Sequence, residues 1–296
     1  MQAHRMFPLV AAALLAAAGT RAADAAGGDL DAVRARGVLR HLGIPYANFV
    51  TGGGDGFDVE LMRRFAAKLG VRYQYVETDW PDALGDLVGR RVSPKQPDPA
   101  AARAVPIRGD VVATGMTVLP WRERSAVFST PVFPTQVWVV ARAASPIQPI
   151  RPSGRLQDDI TAVKALLRGK AVLGVAETCL EPSLYGLERT GARIELRKLR
   201  LDEVAPALIQ GDGDLALLDV ADAMVALQRF PGKIKVIGPV SEVQDMSVAF
   251  RADAPKLREA FERFLEEARR DGSYDALVQT YYPEAPVYFQ GFFARR

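Results

Sequence analysis

Residues 109–133 read GDVVATGMTVLPWRERSAVFSTPVF. A short apolar run leads into Thr114, Gly115, Met116 and Thr117, and then into Pro120, Trp121 and two arginines, Arg122 and Arg124. A plain strand-to-helix connection needs only a turn and a cap. This one gathers hydrogen-bond donors, and after Asp110 its one acid is Glu123. It has no His, no Cys and no paired carboxylates to suggest catalysis, which leaves the question of what its donors hold.

Outward from that stretch the chain alternates strand-like and helix-like segments. VLRHLGI (38–44) reads as a strand, followed by the glycine-rich turn TGGGDG. Phe57, Leu61, Phe65 and Leu69 recur at helical spacing, with Asp58 in the first turn and Gly70 at the stop. VRYQYVE has the period of a strand, and DWPDALGDLVGRR that of a capped helix. The prolines of residues 93–108 break the pattern, which predicts an exposed loop. GDVVATGM resumes as a buried strand, and QVWVVARAASPI (136–147) leaves this first unit.

A second α/β unit follows, with strands at KAVLGVA, RIELRKL, DLALLD and KIKVIG. Helices are predicted between them, one over roughly 181–190. MSVAFRAD (246–253) is a further strand, and the segment after it supplies a long helix and a shorter one. The order predicts two α/β layers with largely parallel sheets.

The chain has 296 residues, 49% of them hydrophobic, enough for one large domain or two modest ones. MQAHR, the apolar FPLVAAALLAAAG and the small residues of TRAADAA have the layout of a cleaved secretory signal over residues 1–23. Its removal leaves 36 Lys+Arg against 35 Asp+Glu. With no clustered cations, a nucleic-acid partner is not expected. Cys179 is the single cysteine and cannot form an internal disulfide. After cleavage His41 is the one histidine, which disfavours a His-based metal site or a Ser-His-Asp triad. No cofactor and no metal are expected.

Four blocks in this order resemble the type II periplasmic solute-binding proteins, more closely the polar amino-acid-binding branch, family 3, of ABC importers. They are GFDVELMRRFAAKLGVRYQYVETDW, the 109–133 stretch, GDLALLD, and LREAFERFLEEARRDGSYDALVQTYY. The resemblance implies two α/β lobes joined by two crossover strands, closing on a ligand like a Venus flytrap. The first lobe is expected over 27–140 and 246–296, and the second over 141–245.

The resemblance places the ligand carboxylate on Arg122, whose planar fork suits two parallel charge-assisted bonds. Thr117 and the strand-end amides around Gly115 would assist. On residue type alone, Arg122 reads first as a surface cation paired with Glu123 or nearby acids. Asp219 stands where the family accepts the ligand ammonium, and it also reads as the N-cap of the next helix. Trp80 and Tyr46 match cleft aromatics, or else core or rim residues. Thr178 and Cys179 align with two threonines of the family's second-lobe turn, here AETC, with Glu177 in place of a glycine. Glu177 would bring a negative charge near the carboxylate.

The leading expectation is a monomeric periplasmic protein that binds an amino acid or related carboxylate and serves an inner-membrane ABC permease. A second is a sensor or accessory protein of the same fold, serving a periplasmic enzyme such as an alcohol-oxidation system. AETC, the 93–108 insertion and the aromatic tail YYPEAPVYFQGFF favour that alternative. An enzyme is a third, since related domains occur beside lytic transglycosylases and in dehydratases. The short segment after the final helix leaves no room for a transglycosylase domain, and no residue is assigned a catalytic role. The expectation is therefore not an enzyme.

Overall fold

The computed structural model describes residues 28–95 and 101–294. The signal expected over 1–23 lies outside the described residues. Helix α1 (Leu30–Arg36) starts at Asp29, whose carboxylate accepts the Leu30 N–H, and stops at Gly37 in the left-handed conformation. Strand β1 (Val38–Gly43) follows, buried along its whole length. Helix α2 (Phe57–Leu69) buries Phe57, Leu61 and Phe65 as the periodicity predicts, and Gly70 ends it at φ 73°. Strand β2 (Arg72–Glu77) pairs in parallel with β1, and the short helix α3 (Ala83–Val88) packs behind them.

The 109–133 stretch is more broken than a strand and a helix. Strand β3 pairs only over Val111–Val112, helix α4 is the single turn Pro120–Glu123, and β4 is Val127–Phe128. The first sheet runs β2-β1-β3-β12-β4, where β12 is Ala249–Phe250, antiparallel to β3 and β4.

The second sheet takes β6 (Val137–Arg142), β7 (Ala171–Val175), β8 (Arg193–Arg197), β9 (Leu215–Asp219) and β10 (Ile234–Pro239) in the order β10-β6-β9-β7-β8. Here β7 is parallel to β8 and β9, but β6 is antiparallel to β9 and β10. Both sheets are therefore mixed, not largely parallel. The strands by which the chain enters each sheet from the crossing, β6 and β12, run against the rest.

Between the sheets the chain passes twice. Phe133–Thr135 (β5) goes out, Gln244–Met246 (β11) comes back, and the two pair antiparallel. Helices α5 (Leu156–Ala165), α6 (Val204–Gln210) and α7 (Val220–Arg229) cover the second sheet. The helix expected over 181–190 is instead two 3₁₀ turns, Pro182–Tyr185 and Leu187–Thr190. Gly186 between them sits at φ 65°, which no continuous helix accommodates.

Helices α8 (Pro255–Arg270) and α9 (Ser273–Tyr281) return to the first lobe, where Phe261 and Phe264 pack on Phe65. The aromatic tail forms two short helices, α10 (Ala285–Tyr288) and α11 (Gln290–Phe293). It packs on the chain itself: Phe293 meets Phe133 of β5, and Tyr288 meets Trp138 of β6. No helix among the described residues is long and apolar enough to cross a membrane.

Candidate functional site

The strand ends of the two sheets face each other. On the first-lobe side, Gly115 adopts φ 60°, and a Cβ there would stand 2.4 Å from the Phe49 ring. Only glycine suits both conditions. Its N–H donates to Asp58 Oδ2 at 2.6 Å, so this amide is committed inside the lobe rather than offered to an anion. Burial drives the Asp58 carboxyl up to about 7, against the opposing pull of the Gly115 N–H. The Thr114 hydroxyl bonds the Ile44 carbonyl, again within the lobe.

Two residues beyond Gly115, Thr117 bridges to Met246 of β11. Its carbonyl accepts Nη1 of Arg122 at 2.8 Å, and its hydroxyl lies against the Cys179 thiol. Arg122 is only 2% exposed. Its guanidinium lies 5.0 Å from the Trp121 ring centroid and 5.5 Å from that of Trp80, with no hydrogen bond at Nε. None of the ion pairs among the described residues involves Arg122. Desolvation pulls its pKa down to about 10. The surface pairing with Glu123 is thereby excluded. A buried guanidinium without a counter-ion costs several kcal/mol unless an anion arrives.

The second-lobe side is built differently. Asp219 ends β9 and caps α7: Oδ1 accepts the Asp222 N–H at 3.0 Å. Oδ2 accepts the hydroxyl of Tyr46, which reaches across from the first lobe, and the Cys179 thiol lies 3.7 Å away. Tyr46 is held in place, stacked on Phe49 with an interplanar angle of 15° and edge-on to Trp80. Burial raises the carboxyls of both Asp219 and Asp222, and the neighbouring Asp219 raises Asp222 further. Burial likewise pushes the Cys179 thiol and the Tyr46 phenol up, so both stay protonated.

AETC folds as a tight turn. Thr178 donates its hydroxyl to the Val175 carbonyl and accepts the Leu180 N–H, so that hydroxyl is occupied within the turn. Glu177 sits at φ 62°, and its N–H donates to the Glu181 carboxylate. Its own carboxylate meets the Ser93 hydroxyl at 3.4 Å, at the start of the proline-rich insertion. It lines a groove of about 760 Å³ that opens between the lobes. Glu77, Asp79, Trp80 and Lys95 line one wall of this groove; Glu177, Arg197 and Arg200 line the other.

Sequence reading missed three contributors. Tyr185 donates to the Cys179 carbonyl at 2.5 Å, with Gln244 of β11 next to it at 3.5 Å. Tyr185 was hidden because residues 181–190 read as one helix, and Gln244 because the hinge pairing has no local signature. Asp222, three residues after the cap, was the legible one: an acid in a first helical turn next to a buried Asp.

A family model described as bacterial extracellular solute-binding proteins, family 3, matches residues 105–284. Membrane-bound lytic murein transglycosylase F of Desulfosudis oleivorans is 24% identical over 230 residues, 77% of this chain and 44% of that protein. Cyclohexadienyl dehydratase of Pseudomonas aeruginosa is 24% identical over 281 residues, covering 89% and 87%. A solved ancestral arginine-binding protein bound to arginine superposes with TM-score 0.66 at 22% identity, over 83% of this chain and 99% of that one. That likeness is one of fold. The chain spans about half the length of the transglycosylases it matches, 44% of one and 49% of another. The expectation that the chain is not an enzyme is corrected here. Two groups of its relatives carry enzyme names, so the family context includes catalysis as well as binding.

Proposed function

This chain belongs to the bacterial extracellular solute-binding proteins, family 3, and from that premise we propose that it is an exported periplasmic protein that closes its two lobes on a small amino-acid-like carboxylate. Delivery to an inner-membrane ABC permease completes the reading, with a monomer as the working unit. The lobes divide at the crossing strands β5 and β11, which act as the hinge, with the whole of β6 in the second lobe. Arg122 is the anionic ligand's anchor, with Asp219 as the opposite pole. Thr117, Trp80, Tyr46, Thr178, Cys179 and the Gly115 turn form the surround.

One observation carries the proposal: Arg122 is buried at the lobe interface with no counter-ion and an unpartnered Nε. A ligand carboxylate supplies what this cation lacks, and contacts to both lobes then favour the closed state. Titration calorimetry of the whole chain against amino acids and small carboxylates tests it. Arg122→Ala is expected to weaken the tightest ligand at least about tenfold, roughly 1.4 kcal/mol. Unchanged affinity removes Arg122 from the site.

The enzyme-named relatives favour a second reading, that the same cleft turns over what it binds. Asp219, Tyr46 and Cys179, protonated or poised beside one another, are the groups to examine. Product formation in a dehydratase assay, lost in Asp219→Asn, would establish it; ligand recovered unchanged would return the cleft to binding alone.

A further inference from the structure

The two poles of the cleft differ in what they lack. Both Asp219 oxygens are engaged: Oδ1 by the Asp222 N–H, Oδ2 by the Tyr46 hydroxyl, with the Cys179 thiol next to it. Arg122 has a single carbonyl partner and an orphan Nε. Tyr46 is not a loose side chain that happens to lie there. Its ring is clamped between Phe49 and Trp80, its backbone pairs with Val50, and it is 2% exposed.

Building on the reading that Arg122 anchors a carboxylate, we infer that Tyr46 permanently fills the place of a ligand ammonium on Asp219, so that the cleft selects small carboxylates without an α-amino group. An α-ammonium reaching Asp219 would have to displace the phenol. That leaves a buried hydroxyl without a partner, a loss that weakens binding whatever the rest of the ligand gains. A carboxylate lacking the amine meets Arg122 and asks nothing of Asp219. Tyr46 is thus a specificity-determining residue supplied by one lobe to a carboxylate of the other.

The test uses pairs with one carbon skeleton that differ only at the α-amino group: propionate against L-alanine, 3-phenylpropionate against L-phenylalanine, and 5-guanidinopentanoate against L-arginine. Each is titrated calorimetrically into the whole wild-type chain and into Tyr46→Phe, and the pair that binds most tightly decides. The amine-free member is expected to bind wild type at least about tenfold more tightly. Tyr46→Phe, which frees Asp219 Oδ2, is expected to shrink that preference at least about tenfold. A wild type that prefers the amino acid overturns the inference, and so does a preference that a folded Tyr46→Phe leaves unchanged. If Tyr46→Phe fails to fold, the wild-type preference decides alone. An amino-acid preference that Arg122→Ala abolishes sinks the inference and leaves the binding reading standing. No heat from any probe in wild type removes both.

Discussion

The two strand ends that meet in the cleft follow opposite rules. The first-lobe end buries a cation and gives it one carbonyl. The second-lobe end buries a carboxylate and surrounds it with an N–H, a hydroxyl and a thiol. Both groups are shielded from water to the same degree, so solvation does not distinguish them. Completeness does: the Asp219 side is finished from within the chain, whereas the Arg122 side waits for something from outside. A protein whose cleft were only a structural interface would have satisfied both.

That asymmetry predicts opposite signs when each pole is removed. Asp219→Ala deletes an N-cap, about 0.5–2 kcal/mol, and strands the Tyr46 hydroxyl, about 1–3 kcal/mol. Urea unfolding is expected to show a loss of about 3 kcal/mol. A gain would mean that burying this carboxylate outweighs its donors. Arg122→Met keeps the volume and removes an uncompensated charge, so the ligand-free protein should gain about 1–2 kcal/mol in the same experiment. A loss instead would show that stacking on Trp80 and Trp121 holds the cation in place at a profit.

A third test sharpens the comparison through pH. Asp58 steadies the Arg122 end by accepting the Gly115 N–H, and its folded pKa is raised from 3.8 to about 7. A raised carboxyl pKa means the folded state holds its proton longer. The stabilising contribution of the group is complete below about pH 3.8 and is lost as pH rises through about 7. Relative to Asp58→Asn, the wild type should therefore lose stability between about pH 4 and 7, by at most ~1.4 kcal/mol per unit, and run parallel above that. Parallel curves throughout would mean that Asp58 is ionised in the fold.

Local signals explain how much of this was readable in advance. Helix α2 stands where Phe57–Leu69 periodicity and Gly70 put it, because its face and its stop are both short-range features. The 181–190 segment was misread because Pro182 and Gly186 admit either a kinked helix or separate turns, and only packing against β7 and β8 decides. Strand direction was misread for β6 and β12, since the route of the chain rather than its alternation sets it. In the site, Arg122, Thr117, Cys179, Tyr46 and Asp219 are brought together. Their relations were not legible. Tyr46 and Asp219 are 173 positions apart, and no spacing rule reports that one answers the other. Glu177, read as a charge against the carboxylate, turns instead to Ser93 because its backbone takes a left-handed conformation.

The most direct test of a cleft completed from outside at Arg122 is a crystal structure of the chain grown with its tightest-binding carboxylate. Both carboxylate oxygens are expected within about 3 Å of the Arg122 guanidinium, with the Tyr46–Asp219 hydrogen bond intact. A ligand resting in the outer groove among Glu77, Lys95 and Arg200, with Arg122 still bonded only to the Thr117 carbonyl, would contradict it.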